Sequence, residues 1–256
     1  MSALRLFVYQ SWLGYRGLFL WLTPWSFTST VVVAPILNFL LLVYVAKGVS
    51  EESYRELVLN LPIYSASTVV LGGILQMFYY DREFRIVLVA PRSSLYCFWS
   101  KSTFHFPNGV LAIGVTLAVV FGLFDVSTAG VDWFELIVAV CVSCLSYICF
   151  AMALGVVVSV TEDWLTTLAV GNASMLLLTG MVIPRADLPW PIRYLTDILP
   201  NVNALKAYRL ALDGAERAAI NTFVAKEAMV CALFAVVASA SFLFVGWLRR
   251  MSRLPL

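Results

Sequence analysis

Long apolar segments recur along this chain more often than one water-soluble core could absorb. They cover residues 25–46, 62–80, 104–124, 133–160, 165–183 and 228–248. A helix needs roughly 20 residues to cross the hydrocarbon core of a bilayer, and each segment is about long enough. Of the 256 residues, 61% are hydrophobic and only 12% are charged. Ordinary soluble domains carry about a quarter charged residues, so the apolar excess must face lipid. The expected fold is therefore all-α: a polytopic membrane protein with six transmembrane helices, forming a single domain over residues 1–256. A net charge of +2 is too weak to point to a nucleic-acid partner.

Residues 1–22 are amphiphilic. Arg5, Gln10 and Arg16 interrupt an apolar stretch that carries Trp12, Tyr15 and Trp21. Such a segment suits a helix lying in the headgroup region before the first crossing. It lacks the compact apolar core and small-residue cleavage site of a signal peptide. Basic residues then orient the spans. Arg82, Arg85, Arg92 and Lys101 lie between the second and third segments, and Arg249, Arg250 and Arg253 come after the sixth. The positive-inside rule puts both termini and the 81–101 loop in the cytoplasm. The 184–221 stretch weakens this orientation, because it carries Arg185, Arg193, Lys206, Arg209 and Arg217 on the other side. A five-span plan, with the two ends on opposite sides, is the alternative.

The chemistry of the chain is sparse. It has no GxxxxGK[ST] loop for nucleotide phosphates, no HExxH zinc motif and one histidine, His105. No catalytic, cofactor-binding or metal-binding residue is expected. The five cysteines (Cys97, Cys141, Cys144, Cys149, Cys231) read as small buried side chains. Ionisable residues are nearly absent from the span interiors, whereas a proton-driven carrier needs them at membrane depth. Glu135 is the nearest candidate, and Glu227 reads as lying just before the sixth span. Energy for any transport should therefore come from elsewhere.

Two stretches between spans carry more information. Residues 81–101 read DREFRIVLVAPRSSLYCFWSK. Charges come first, then an apolar centre. Pro91 bends or stops the helix, and Ser93 or Ser94 is placed to cap a new helical turn beyond it. A short amphipathic helix along the membrane fits this pattern, as does an ordinary solvated loop. Residues 176–200 end the fifth span with prolines at 184, 189, 191 and 200. Pro184 breaks the helix, and a new short helix is expected near Leu188 and again over 204–212.

Together these pieces resemble the transmembrane subunit of an ABC exporter of the ABC-2 permease type, over essentially the whole chain. In the 81–101 loop the resemblance rests on Arg82 and Glu83 as the charged pair, then Leu88, Ala90, Pro91, a serine at 93 or 94, and Lys101. The family's Gly-Thr is missing, and Phe84, Arg85 and Ile86 stand there. In the second stretch it rests on Thr179, Gly180, Pro184, Leu188, Pro189, Pro200 and Arg209.

The resemblance implies an N-terminal interfacial helix, a cytoplasmic coupling region at 81–101, and an extracellular re-entrant hairpin at 184–212 before the last span. It implies a separate cytoplasmic ATPase subunit, in two copies, which binds the ATP and Mg. Arg82, Glu83, Arg85, Pro91 and Arg92 would meet that ATPase. Two permeases should pair, as a homodimer more readily than a heterodimer. Gly180, Pro184, Leu188, Pro189, Pro200 and Arg209 would form the outer gate. The first, second and fifth spans would line the path, with Gly72, Gly73, Gly171, Asn172 and Ser174 as small or polar positions there. The cargo implied is amphiphilic: a drug or antibiotic, a lipid or a lipid-linked glycan. An ion-coupled secondary carrier and a non-transporting membrane scaffold are the rival readings.

Overall fold

The first apolar run forms one bent helix, α1, made of Pro24–Thr28, a wider π-type turn at Ser29–Val33, and Ala34–Ala46. Pro35 causes the wide turn, because its ring clashes with an ordinary helical turn and removes a backbone donor. Hydroxyls of Thr28 and Thr30 fold back onto the carbonyls of Pro24 and Ser26 at 2.9 and 2.8 Å. The computed structural model describes residues 5, 7–9, 11–12, 24–46, 51–80, 94–124, 126–182, 188–196 and 198–251.

Helix α2 spans Glu51–Tyr80, so it starts well before the expected 62–80 segment and carries Pro62 inside it. The Ser65 hydroxyl donates to the Pro62 carbonyl at 2.6 Å and supports the backbone next to the break. At 30 residues, α2 is about 45 Å long and outruns the hydrocarbon core. Then come α3, Ser94–Ser102, and α4, His105–Leu123, with Pro107 in the first turn of α4, where its missing donor costs little. Helix α5 is Trp133–Thr161, begun by the Asp132 carboxylate, which accepts from the Glu135 N–H at 3.3 Å. Asp163 starts α6, Trp164–Leu178, in the same way, through the Thr166 N–H at 3.0 Å. Two short helices come next, α7 at Trp190–Thr196 and α8 at Val202–Leu212. Helix α9, Arg217–Met251, ends the described chain.

Two expected boundaries shift. The fifth span stops as a helix at Leu178 rather than 183, leaving α6 shorter than the membrane-crossing helices. The sixth begins at Arg217 rather than 228, which draws Lys226 and Glu227 inside a helix. Among the described residues there is no strand. Five helical stretches are long and apolar enough to cross a membrane by length and composition: Pro24–Val45, Tyr54–Tyr80, Leu95–Leu123, Trp133–Thr161 and Arg217–Leu248. The chain is thus an all-α, multi-pass membrane protein.

The bundle is built around α2 and α5, whose spans are 72% and 67% buried, against 11% for that of α9. Helix α2 packs on α4, α5 and α6, while α5 carries α9 and α8. Glycines let these helices close up. A Cβ on Gly73 would lie 2.5 Å from the His105 ring, and one on Gly171 would lie 2.9 Å from Leu71. At one end, Phe98 of α3 is fully buried and stacks on Phe242 of α9 at 4.4 Å. Phe98 also meets Phe78 of α2 at 5.9 Å. Beside it, the Trp99 indole donates to the Ser239 hydroxyl at 3.1 Å. Near the N-terminus, Phe7 lies against Tyr96 at 5.3 Å and Trp12 against Phe104 at 5.6 Å. The segment expected at the interface therefore touches α3 and the start of α4.

Candidate functional site

At the opposite end from Phe98, the segment between α6 and α9 is held by polar groups. The Thr179 hydroxyl bonds back to the Met175 carbonyl as α6 ends, and Gly180 takes φ +85, a left-handed conformation that suits glycine. Leu188 is buried. The Pro189 carbonyl accepts from the N–H groups of Ile192 and Arg193, both at 3.0 Å, and opens α7. Pro191 sits in that first turn, as expected of a proline that need not donate. Trp190 and Tyr194, one turn apart, project outward and contact each other at 6.2 Å. Pro200 is buried, and Asn201 comes next at φ 71, a left-handed conformation that asparagine tolerates.

Asn201 makes no side-chain cap for its own helix α8. Its side chain turns to α5 instead: Oδ1 accepts from the Ser143 hydroxyl, and Nδ2 donates to the Ser143 carbonyl at 3.4 Å. The start of α8 is capped from another helix, by Glu227 of α9. Glu227 Oε1 accepts from the Asn201 N–H at 2.6 Å and from the Ser146 hydroxyl. Its Oε2 accepts from the N–H groups of Asn203 at 3.2 Å and Ala204 at 3.3 Å. The first N–H groups of a helix have no partner within it, and the helix dipole favours a carboxylate there. All four hydrogen-bond partners of Glu227 donate, which matches an acceptor-only carboxylate. Glu227 is fully buried, as are Asn201, Ser143 and Ser146.

A second contact ties α8 to α2. Arg209 Nε donates to Asn60 Oδ1 at 2.6 Å, and Arg209 Nη2 approaches Glu56 Oε2 at 3.6 Å. Buried Asn60 in turn donates from Nδ2 to the Met181 carbonyl, just past α6, at 3.1 Å. The end of α8 also meets the start of α5, where the Asp132 N–H donates to the Ala211 carbonyl at 3.0 Å. Arg217 Nε donates to Asp132 Oδ2 at 2.8 Å. The Arg217 hydrogen bond, with help from backbone N–H groups, holds the Asp132 carboxyl below the usual range.

The residues expected along a path are placed differently from one another. Gly73 and Gly171 are taken up by helix packing, against His105 and against Leu71 and Leu154. Gly72 faces open space, with no described atom within 4 Å of a Cβ placed there. Asn172 Oδ1 meets the Ser67 hydroxyl of α2 at 3.5 Å, and the Ser174 hydroxyl bonds to its own helix at Val170, at 2.7 Å. Of the expected gate residues, the structure brings Gly180, Leu188, Pro189, Pro200 and Arg209 into the one segment. Pro184 lies outside the described residues, as do Arg82, Glu83, Arg85, Pro91 and Arg92.

Glu227, expected just before the sixth span, lies fully buried inside α9, and with it Asn60 and Asn201 join the site. One signal for it was present. Ser143 and Ser146 lie one turn apart on the same face of an otherwise apolar helix, a pair that needs a buried polar partner.

The amino-acid sequence matches one known family description, that of an ABC-2 family transporter protein, over residues 42–245. The chain belongs to the ABC-2 transporter family. Comparison with curated proteins finds no match. As an ABC-2 membrane domain, it is the permease component of a transporter, and the match takes in α2 to α8 and nearly all of α9.

Proposed function

We propose that the chain is the membrane half of an ATP-driven exporter that moves an amphiphilic substrate out of the cytoplasm or inner leaflet. The observation that carries this reading is the α7–α8 segment, a pair of short helices seated in polar contacts at one end of an apolar bundle. Irregular backbone at such a place is stable only where protein or water covers it, and here Glu227, Ser143, Asn60 and Arg209 supply the cover. The reading gives the chain six spans, with α6 as the short fifth one, and treats α7–α8 as a re-entrant outer gate. Both termini then lie in the cytoplasm of a bacterial inner membrane. Two ATPase subunits, which bind ATP and Mg, drive a pair of permeases, a homodimer in the simplest case.

The Phe98 cluster lies at the cytoplasmic end in this orientation. Movement of α3 would reach α2 and α9 through Phe78 and Phe242. A drug-like amphiphile and a lipid-linked glycan are the two cargo classes within this reading.

Copurification with the candidate ATPase and ATP hydrolysis in liposomes test the assignment. Arg82→Glu and Glu83→Arg should each weaken ATPase association, because charge pairs at such a surface set register and partner choice. Full association and normal hydrolysis in both variants would remove these residues from the coupling surface. Transport that persists without ATP and tracks an ion gradient would favour a secondary carrier.

A further inference from the structure

The α8 helix is held on two sides by contacts of very different character. Towards α5 and α9 it packs extensively; towards α2 it packs only slightly. On the first side, the joining groups are Glu227, Asn201, Ser143 and Ser146, all fully buried. Carboxylate, hydroxyl and backbone donors saturate one another there. The far end of α8 is fastened to the same body, by the Asp132 N–H on the Ala211 carbonyl and by close approach of Gly214 to the Gly130 carbonyl. On the α2 side, the contact runs through one side chain, Arg209, 33% exposed, which meets Glu56, 51% exposed, and the buried Asn60.

A buried carboxylate stripped of its donors is left uncompensated, which is strongly unfavourable. The Arg209 guanidinium, a third exposed, is rehydrated when it leaves Glu56 and Asn60, and Asn60 keeps its bond to the Met181 carbonyl. This parting costs less than stripping Glu227 of four donors. A motion that opens the bundle at this end therefore parts the thinner contact and leaves the Glu227 contact whole.

We propose that Glu227 is the positioning residue that makes α8 one body with α5 and α9, and that the pathway opens along the Arg209–Asn60–Glu56 seam with α2. The proposal rests on the reading of α7–α8 as a gate. Glu227 fits this role, rather than that of a proton carrier, because both of its oxygens are already occupied by donors.

The test uses the full chain in complex with its ATPase, reconstituted in liposomes, with ATP hydrolysis as the readout. One variant carries Asn60→Cys and Arg209→Cys across the seam. Another carries Asp132→Cys and Ala211→Cys across the side held fixed. Both variants also carry Cys149→Ser and Cys231→Ser, because those native thiols lie 3.3 Å apart between α5 and α9 and could themselves oxidise. Each is compared, oxidised with copper phenanthroline, against its own reduced state. Oxidation of the seam pair should suppress hydrolysis at least about fivefold, with recovery on reduction, while oxidation of the other pair should leave it within about twofold. Suppression only by the Asp132–Ala211 pair would keep the gate and overturn the seam. Suppression by both would overturn the single body. Suppression by neither would overturn the gate reading itself.

In the Asp132→Cys/Ala211→Cys background, Glu227→Ala should slow formation of the cross-link at least about fivefold. Glu227→Gln, which keeps one carbonyl acceptor, should recover part of that loss and serves as the variant to use if the alanine does not fold. An unchanged cross-linking rate in both would remove Glu227 from this role.

Discussion

Gly155 and Gly72 offer a matched pair of substitutions whose difference isolates one physical effect. Both glycines lie inside long helices of the same bundle, α5 and α2. Changing either to alanine gains helix propensity, about 0.8–1.0 kcal/mol. They differ in what the added methyl meets. At Gly72 there is no described atom within 4 Å. At Gly155 the methyl overlaps the Phe78 ring, with even Cγ only 2.8 Å away. Phe78 cannot swing aside freely, because it is 5% exposed and its ring abuts Phe98, which in turn stacks on Phe242.

Overpacking of this kind costs about 1–3 kcal/mol. The propensity gain cancels between the two variants, so their stabilities should differ by that same amount, about 1–3 kcal/mol. At about 2–4 °C per kcal/mol for a chain of this size, the gap is measurable as a difference in thermal midpoint in detergent. Gly72→Ala should be neutral or slightly stabilising, and Gly155→Ala should fall below it. Adding Phe78→Leu to Gly155→Ala should recover part of the loss, giving a coupling well outside additivity. Equal midpoints for the two alanine variants, or no coupling to Phe78, would refute the packing argument.

Glu227→Ala leaves three backbone N–H groups and the Ser146 hydroxyl without their acceptor, and should lower stability by about 3–5 kcal/mol, as when a buried charged network is broken. A denaturation midpoint like that of the parent would argue against the network. Asn60→Ala should cost about 1–3 kcal/mol, because it strands both the Met181 carbonyl and the Arg209 guanidinium; protection of α8 amides from hydrogen exchange should fall with it. For Asp132, the folded carboxyl is held below its ordinary value by Arg217. Its stabilising contribution is therefore present above pH about 4 and fades as pH falls through the lowered value. The midpoints of the parent and Arg217→Ala should differ slightly near neutrality and converge in acid. Divergence in acid would contradict the sign.

Much of the fold is readable without coordinates, because lipid imposes a single requirement that apolar run length reports directly. Three of the expected spans coincide closely with helices: 25–46 with α1, 104–124 with His105–Leu123 and 133–160 with Trp133–Thr161. The caps at Asp132 and Asp163 belong to the same local grammar. Local rules misled where a tertiary contact outweighed them. Pro62 looked like the start of a span, yet α2 runs through it, and the Ser65 hydroxyl bonds back to its carbonyl. Glu227 looked like a polar flank, because charge beside an apolar run ordinarily marks its end.

By itself, the sequence determined that the chain must be a helical membrane protein, since composition and apolar run length decide it. Which side chains meet across the bundle was decided only by tertiary structure. Glu227 is 81 residues from Ser146, and Arg209 is 149 from Asn60. No periodicity links positions that far apart. The carboxylate reaches the start of α8 only because α5, α8 and α9 pack together, and the packing makes that helix start the one place where its burial is compensated.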